Sequence, residues 1–431
     1  MADDIPTIQI LGKENYFEQH LVPLPDALPY PALAPSSLRV RTAVLSLTVN
    51  NFTYAAMGSI PGRDWWDIHP LPASTPQAFQ DATKYGRMNA WGYAEVLEST
   101  VPGIPKGSHV WGYVPMGTLA QDLTIRWHSN ENIKDQIFVT NDYRQHVMPI
   151  YNRYFVYQPS SGIKDEIARK TDAVAYDSLI KVMHATSFLM TRFVFSSNSS
   201  RVVPGHPGPD DEPVEWTAQD ADLSNATVLV FAPGSKVGLA FARLLRTRAD
   251  MDPKETRPPL IIGVSSESSK PFVEGSGEYD AVTTTNSNAA AVLKDLGHKD
   301  SHRVVIFDFG GRAGAGPSWA MQLLPTNPTL QFVGVGLEIK DPSAPLPGAD
   351  GRVPPFKFTL VNADDMRRRA IAKIGEEQYW KEDDESWQAI RKNGVKGFNV
   401  EFADGMKAVI DGWDRLAKGE VLPSKGLAFK L

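Results

Sequence analysis

A turn in the second half of the sequence carries groups that could bind a phosphate. In the stretch ATVLVFAPGSKVGLAFARLL, residues 226–245, an apolar run leads through Gly234-Ser235-Lys236-Val237-Gly238 into an amphipathic segment. A strand, a tight turn and a helix N-terminus together form a common phosphate site, because the free N–H groups and the helix dipole both favour anions. These five residues are therefore candidate cofactor-binding residues.

The dinucleotide fingerprint G-x-G-x-x-G is incomplete in this turn. Counted back from Gly238, its three glycine positions are Pro233, Ser235 and Gly238, so only the third glycine is present. Two interpretations stay open: the turn binds a dinucleotide, or the domain has kept the fold and lost that affinity.

The end of the next apolar run favours NADPH over NADH. An NAD site places an acidic residue there for the ribose 2′-hydroxyl, whereas here Ser265, Ser266 and Lys270 could donate to a 2′-phosphate. Lys236 would add a second cation near the same phosphate. The alternative is that these residues form an ordinary surface loop.

Alternating strands and helices are expected to hold these residues. Apolar runs at 227–232, 259–266, 280–285, 302–311 and 330–338 predict βαβ units and a doubly wound parallel sheet. The ends of the third and fourth runs add Thr285, Phe309 and Gly310, with Gly311, as candidate cofactor contacts. Short strands and frequent turn signals in the first 165 residues predict a β-barrel or sandwich.

Composition excludes several function classes. The 431 residues contain no cysteine, which excludes disulfides, thiolate nucleophiles and zinc sites that need a cysteine ligand. A net charge of −6 with scattered basic residues predicts no nucleic-acid partner. No run reaches the roughly 18 apolar residues that span a bilayer, and the acidic N-terminus is unlike a secretory signal, so we expect a cytoplasmic protein without a membrane partner.

The order of these parts resembles the medium-chain dehydrogenase/reductase superfamily. The blocks WGYAEVLESTVPGIPKGSHVWGYVP, VLVFAPGSKVGLAFARLL and LAKGEVLPSKGLAFKL look like those of zinc-free quinone oxidoreductases and enoyl reductases. VNNFTYAAMG, MPIYNRYFVY, TSFLMTRF and GEYDAVTT are similar to an uncharacterised branch of that superfamily. The resemblance implies a GroES-like domain, residues 1–170 and 350–431, with an inserted Rossmann domain, residues 171–349.

The resemblance also implies where the active site lies. In the zinc-free reductases a tyrosine after the strand equivalent to VLSLTVNN can protonate the substrate, which makes Tyr54 the expected proton donor and Asn51 its hydrogen-bonding partner. Tyr151 and Asn152 are the second candidate pair, and Thr186 could bond the nicotinamide carboxamide. The competing interpretations are a core-packed Tyr54, an ordinary aromatic strand around Tyr151, and a threonine that bonds its own helix.

The sequence thus predicts a zinc-independent, NADPH-dependent reductase with no metal. Its expected substrate is an enone or ketone in a small or medium-sized metabolite, with polyketide- or quinone-like compounds of secondary metabolism as one class. A redox-neutral enzyme or a binding protein that has lost dinucleotide affinity is the alternative. A homodimer is expected from family analogy alone.

Overall fold

A computed structural model describes residues 5–60, 63–206, 215–310, 314–336, 342 and 354–431. In these residues the strands are β1 Thr7–Gly12, β2 Gln19–Pro23, β3 Ser37–Leu47, β4 Tyr85–Gly86, β5 Asn89–Ser99, β6 His109–Pro115, β7 Gln121–Trp127, β8 Gln136–Val139, β9 Arg153–Tyr157, β10 Ala226–Phe231, β11 Leu260–Ser265, β12 Ala281–Thr284, β13 Arg303–Phe309, β14 Gln331–Gly336, β15 Lys357–Leu360, β16 Asn399–Asp404 and β17 Lys425–Lys430.

The helices in the same part of the chain lie between and after these strands. They are α1 Asn50–Met57, α2 Ile163–Arg169, α3 Asp172–Leu179, α4 Lys181–Leu189, α5 Ala218–Ala221, α6 Lys236–Met251, α7 Lys270–Ser276, α8 Ala289–Asp295, α9 Ala315–Leu323, α10 Ala363–Ile374, α11 Glu376–Asn393 and α12 Gly405–Ala417. Helices α3 and α4 are separated at Ile180, and the turn that follows α4, Met190–Val194, is π-helical. No helix of the described segments combines the length and the apolar composition that crossing a membrane requires.

A closed antiparallel barrel forms the first unit. Its strands follow the order β3-β5-β6-β9-β8-β7, and β7 pairs with the beginning of β3, which closes the barrel. The far end of β3 pairs with β17 from the C-terminus, and β16 pairs with β17. The C-terminal segment therefore returns to the barrel, as the resemblance implied.

A six-stranded parallel sheet forms the second unit. Its order is β12-β11-β10-β13-β14-β15, and every neighbouring pair is parallel. Chain order 3-2-1-4-5-6 is that of a dinucleotide-binding Rossmann sheet. Apolar clusters cover both faces of the sheet, which explains why β10, β11 and β13 are continuous apolar runs. The predicted fold class is confirmed.

The expected boundary between the last two segments needs correction. Residues 349 and 350 lie outside the described residues, but β15, Lys357–Leu360, is the sixth strand of the parallel sheet. The sheet therefore extends beyond the boundary placed at 349. Its last strand is short and largely exposed, so it lacks the apolar run by which the other parallel strands were recognised.

Close backbone approach at Gly92 shapes the barrel. Gly92 on β5 faces Leu45 on β3, next to a register shift in β3. A Cβ atom at Gly92 would lie 2.0 Å from the Val44 carbonyl oxygen, so only glycine fits between these strands. The barrel core depends on this contact.

We predict that Gly92→Ala destabilises the protein by about 3 kcal/mol or more, because the added methyl group forces the central barrel strands apart. Gly275→Ala is the matched control, since a Cβ there has no neighbour within 4 Å. The control should stay within about 0.5 kcal/mol of wild type. Urea unfolding measures the free energy of unfolding of both variants. Equal values for the two would contradict the requirement for glycine at position 92 of β5.

Candidate active site

The turn after β10 is tightly built around the N-terminus of α6. Ala232 has a φ of 53°, a left-handed conformation that is uncommon for alanine. The Ser235 hydroxyl caps α6 by accepting from the Gly238 N–H at 3.1 Å. A Cβ atom at Gly238 would lie 3.0 Å from the Ala232 carbonyl oxygen, which explains why this glycine is present. The Val237 carbonyl accepts from Ser187, which fixes α6 against α4.

The Lys236 ammonium group has partners within the protein, and these differ from the phosphate contact that the sequence predicted. Its Nζ donates to the Lys425 carbonyl at 3.1 Å and lies 5.3 Å from the centre of the Phe398 ring. Burial lowers the pKa of Lys236 to about 8. Pro423 approaches the same turn, since a Cβ atom at Gly234 would lie 3.3 Å from the Pro423 Cβ. The C-terminal return segment therefore occupies one side of the turn, which the sequence pattern could not indicate.

Hydroxyl groups gather at the end of β11, as the sequence predicted. Ser265 donates to the Ser266 carbonyl, and the Ser266 hydroxyl bonds Ser268 at 3.2 Å and Ser269 at 2.9 Å. Lys270 begins α7, and its Nζ lies 3.7 Å from Glu274. Because β11 pairs directly with β10, these groups lie beside the turn at Gly234.

Of the other expected cofactor contacts, Thr285, Phe309 and Gly310 lie at the same edge of the sheet, whereas Thr186 lies on α4. Thr285 donates to the Ser265 carbonyl at 2.9 Å, and Phe309 packs on Phe241 with ring centres 5.2 Å apart. Gly310 has a φ of 108° and follows β13 directly, whereas Gly311 lies outside the described residues. Thr186 bonds the Val182 carbonyl of its own helix at 3.5 Å, as its competing interpretation expected.

Tyr54 and Tyr151, here called the tyrosine pair, lie together against the aromatic side chains of the barrel strands β5 and β6. Their ring centres are 5.9 Å apart, and both side chains are buried. The Trp91 indole N–H donates to the Tyr54 hydroxyl at 3.1 Å, and Tyr151 and Asn50 are further hydrogen-bonding neighbours of that hydroxyl. Burial raises the pKa of both phenols, so both hydroxyl groups keep their protons at neutral pH.

The two asparagines expected beside these tyrosines have other partners. The Asn51 amide accepts from the Thr48 N–H at 2.8 Å and donates to the Asn89 carbonyl at 3.0 Å, so it fixes the start of α1. Asn152 accepts from Arg144 Nε at 2.7 Å and donates back to the Arg144 carbonyl. Asn51 and Asn152 thus hold neighbouring groups in place, and Asn50 bonds Tyr54 instead of Asn51.

The tyrosine pair lies close to the carboxyl edge of the parallel sheet. Helix α10 follows β15 at that edge, and its first turn contains Asp364. The Asp364 carboxylate interacts with the backbone N–H of Ile150 and electrostatically with Tyr151. Burial raises the pKa of Asp364, and Arg367 partly opposes that shift. The barrel thus brings Tyr151 to the edge at which parallel sheets bind ligands.

The structure also reveals buried cations that sequence reasoning missed. Arg87 and Arg144 are buried, and so is the imidazole of His69, which burial keeps neutral by lowering its pKa and which the sequence places near the acidic residues Asp64 and Asp67. Asp64 and Asp67 instead lie close to His146, and Asp67 and His146 are exposed to solvent. No sequence pattern marks Arg87, because arginine is ordinarily exposed.

The architecture is that of the medium-chain dehydrogenase/reductase superfamily, in which a barrel completed by the C-terminus is joined to an inserted Rossmann sheet. The chain belongs to the family described as "Protein of unknown function (DUF2855)", whose model matches residues 45–422. No curated protein shows significant sequence similarity to the chain.

Solved structures share this fold at low sequence identity. CurA in complex with NADPH from Vibrio vulnificus is 12% identical, with a TM-score of 0.53 and 98% of both chains covered. A mutant form of enoyl thioester reductase from Candida tropicalis is 12% identical, with a TM-score of 0.54, and the match covers 99% of this chain and 100% of that chain. At such identity the likeness establishes the fold.

Replacement of Lys236 by methionine distinguishes a structural lysine from a phosphate-binding one. The folded-state pKa of about 8 lies below that of an unfolded lysine, so the half-buried charge costs stability below pH 8 and that cost disappears as pH rises toward 10. We predict that Lys236→Met raises the free energy of unfolding by about 1–2 kcal/mol at pH 7, with a smaller gain at pH 10.

The same variant should leave any NADPH affinity within about twofold of wild type. Lys294→Met, at an exposed position on α8, is the control and should change neither quantity. Urea unfolding and nucleotide titration measure the two effects. A tenfold loss of NADPH affinity in Lys236→Met alone would restore the phosphate-binding role that the sequence predicted.

Proposed function

We propose that the protein is a zinc-independent, NADPH-dependent reductase of an enone or ketone in a small or medium-sized metabolite. The observation that carries this proposal is the tyrosine pair, buried, protonated at neutral pH and adjacent to the carboxyl edge of a Rossmann sheet. Two of the solved structures that share the fold are described as an NADPH complex and as an enoyl thioester reductase, which supports the choice of reaction.

The residues around the turn offer the hydrogen-bond donors and the positive charge that a phosphorylated dinucleotide requires. The backbone N–H groups of Lys236 and Val237 begin α6 and have no acceptor within the helix. They would bind the pyrophosphate. Ser265, Ser266 and Lys270 would hold the 2′-phosphate, and Gly310 leaves room for close backbone approach. Bound NADPH supplies a hydride.

The tyrosine pair would complete the reduction by delivering a proton. Trp91 orients the Tyr54 hydroxyl, and Tyr151 is a hydrogen-bonding neighbour through which that hydroxyl can be re-protonated. A protonated phenol can donate to a developing enolate or alkoxide, because these oxyanions are strong bases. With no cysteine for a catalytic zinc of the alcohol dehydrogenase type, these O–H and N–H groups would also polarise the substrate oxygen.

A second function is favoured by the contacts at the turn. Lys236 bonds the Lys425 carbonyl, and Pro423 packs near Gly234, so the return segment narrows the space beside the helix N-terminus. A protein that keeps the fold and binds its small molecule without a dinucleotide would have these same contacts. Nucleotide binding separates the two functions.

Titration with NADPH and NADH, followed by thermal unfolding, tests the proposed cofactor. We predict that NADPH raises the melting temperature, and that at least a tenfold higher concentration of NADH is needed for the same rise. Lys270→Met should weaken NADPH binding about tenfold and leave NADH unchanged, because only the 2′-phosphate contacts that lysine. Lys294→Met should resemble wild type. No response to either nucleotide would refute the reductase and favour the second function.

Single phenylalanine substitutions test the proton donor. With NADPH oxidation measured against a panel of quinones and enones, we predict that Tyr54→Phe lowers kcat about 100-fold, and Tyr151→Phe less, while NADPH affinity stays constant. Tyr85→Phe on β4 is the matched control, because its ring contacts His20 and Phe79 outside this site. Full activity in the Tyr54→Phe, Tyr151→Phe double variant would show that another group supplies the proton.

A further inference from the structure

Arg87 is a buried guanidinium group that has no hydrogen-bond partner among the described residues. It lies between β4 and β5, its exposed fraction is 1%, and its Nε, Nη1 and Nη2 atoms find no acceptor in that part of the chain. Its pKa is lowered to about 10 by burial, so the group stays charged at neutral pH. Burying such a charge without an acceptor is costly, and proteins ordinarily pair it.

Two further nitrogen-bearing side chains lie near Arg87. His69 has an exposed fraction of 0%, and neither of its ring nitrogens has a hydrogen-bond partner. Arg144 donates to Asn152 and to the Tyr151 carbonyl but keeps Nη1 without an acceptor. Both arginines are close enough to lower the pKa of His69 further than burial alone.

No carboxylate of the described residues compensates these charges. The titratable neighbour that affects the pKa of Arg87 is the Tyr143 phenol, and those that affect the pKa of His69 are the two arginines. Arg87 and His69 are thus buried near Arg144 with nitrogen atoms that have no hydrogen-bond partner in the described part of the chain. Elsewhere in the described chain, buried arginines such as Arg248 have carbonyl and carboxylate partners.

The group adjoins the tyrosine pair. Arg144 bonds the Tyr151 carbonyl directly, and Asn152 fixes the Arg144 side chain through two hydrogen bonds. Arg144 also affects the pKa of Tyr113, whose ring lies 4.9 Å from that of Tyr151. A molecule whose oxyanion is held by the arginines would therefore have its remainder beside Tyr54 and Tyr151.

We propose that Arg87, Arg144 and His69 form a binding site for an oxyanion, a carboxylate or phosphate group of the substrate. Guanidinium groups bind both kinds of oxyanion through paired N–H donors, and burial strengthens the attraction. The assignment of the oxyanion to the substrate rests on the proposed reductase function, whereas the anion site itself does not. All three side chains are closed to solvent, so the anion enters through local opening of the barrel.

Anion-dependent stability of the full chain, measured without nucleotide, tests the site. Wild-type protein is titrated with acetate, malonate and inorganic phosphate at constant ionic strength, with sodium chloride as the screening control. We expect a saturable rise in melting temperature with at least one oxyanion and none with chloride. Malonate and acetate responses identify a carboxylate site, and a response to phosphate alone identifies a phosphate site.

Substitution of Arg87 then assigns the effect. Arg87→Met should melt at or above the wild-type temperature without added anion, because an unpaired buried charge is removed, and should lose at least tenfold in apparent anion affinity. Arg87→Lys keeps the charge and should respond in between. Arg126→Met, an exposed position on β7, should respond as wild type does.

Three results would overturn the proposal. The first is a wild-type protein that no oxyanion stabilises, which would leave buried water as the partner of Arg87. The second is an Arg87→Met variant that keeps the wild-type response. The third is an Arg87→Met variant that melts several degrees lower without anion, which would show a structural role. Because nucleotide is absent, a protein that binds the oxyanion but not NADPH refutes only the reductase.

Discussion

The arrangement of the two units depends on one buried carboxylate, that of Asp177 on α3. It accepts from the Tyr93 hydroxyl of the barrel at 2.8 Å and from Trp387 and Arg391 of α11 at 3.0 Å each. Its own backbone carbonyl accepts from Trp111 of the barrel at 3.1 Å. A buried carboxylate is stable only with such partners, so the donors of both units must meet at this one point. Strands β5 and β6 are thereby fixed against the helices that pack beside the parallel sheet.

The proposed chemistry follows from that fixed geometry. With the barrel held in place, the segment before β9 brings Tyr151 to α10, and Tyr151 and Tyr54 share one buried cluster. The C-terminal return segment acts on the turn after β10. There the Lys425 carbonyl accepts a hydrogen bond from the Lys236 ammonium group, so this ammonium is not free to bind a phosphate. One constraint thus brings the tyrosine pair together, and the other narrows the space beside the N-terminus of α6. The proposed reductase and the alternative binding protein differ in whether a dinucleotide still binds beside this turn.

Much of the fold could be predicted from the sequence, because local patterns determine it. Continuous apolar runs mark β10, β11 and β13, and the serines after β11 gather where the pattern placed them. Contacts between distant parts of the chain could not be predicted. Lys236 and its acceptor are 189 residues apart, and nothing local indicates that the ammonium is directed there. Arg87 was missed for the same reason, since its burial depends on contacts that no local sequence pattern indicates.

We propose that the tyrosine pair faces the nicotinamide of bound NADPH. A crystal structure of the protein with NADPH tests this proposal most directly. We predict the nicotinamide ring in contact with Tyr54 or Tyr151, the pyrophosphate at the N-terminus of α6, and the 2′-phosphate at Ser265, Ser266 and Lys270. A structure grown at saturating NADPH with the return segment still against the turn and no nucleotide in the cleft would contradict it.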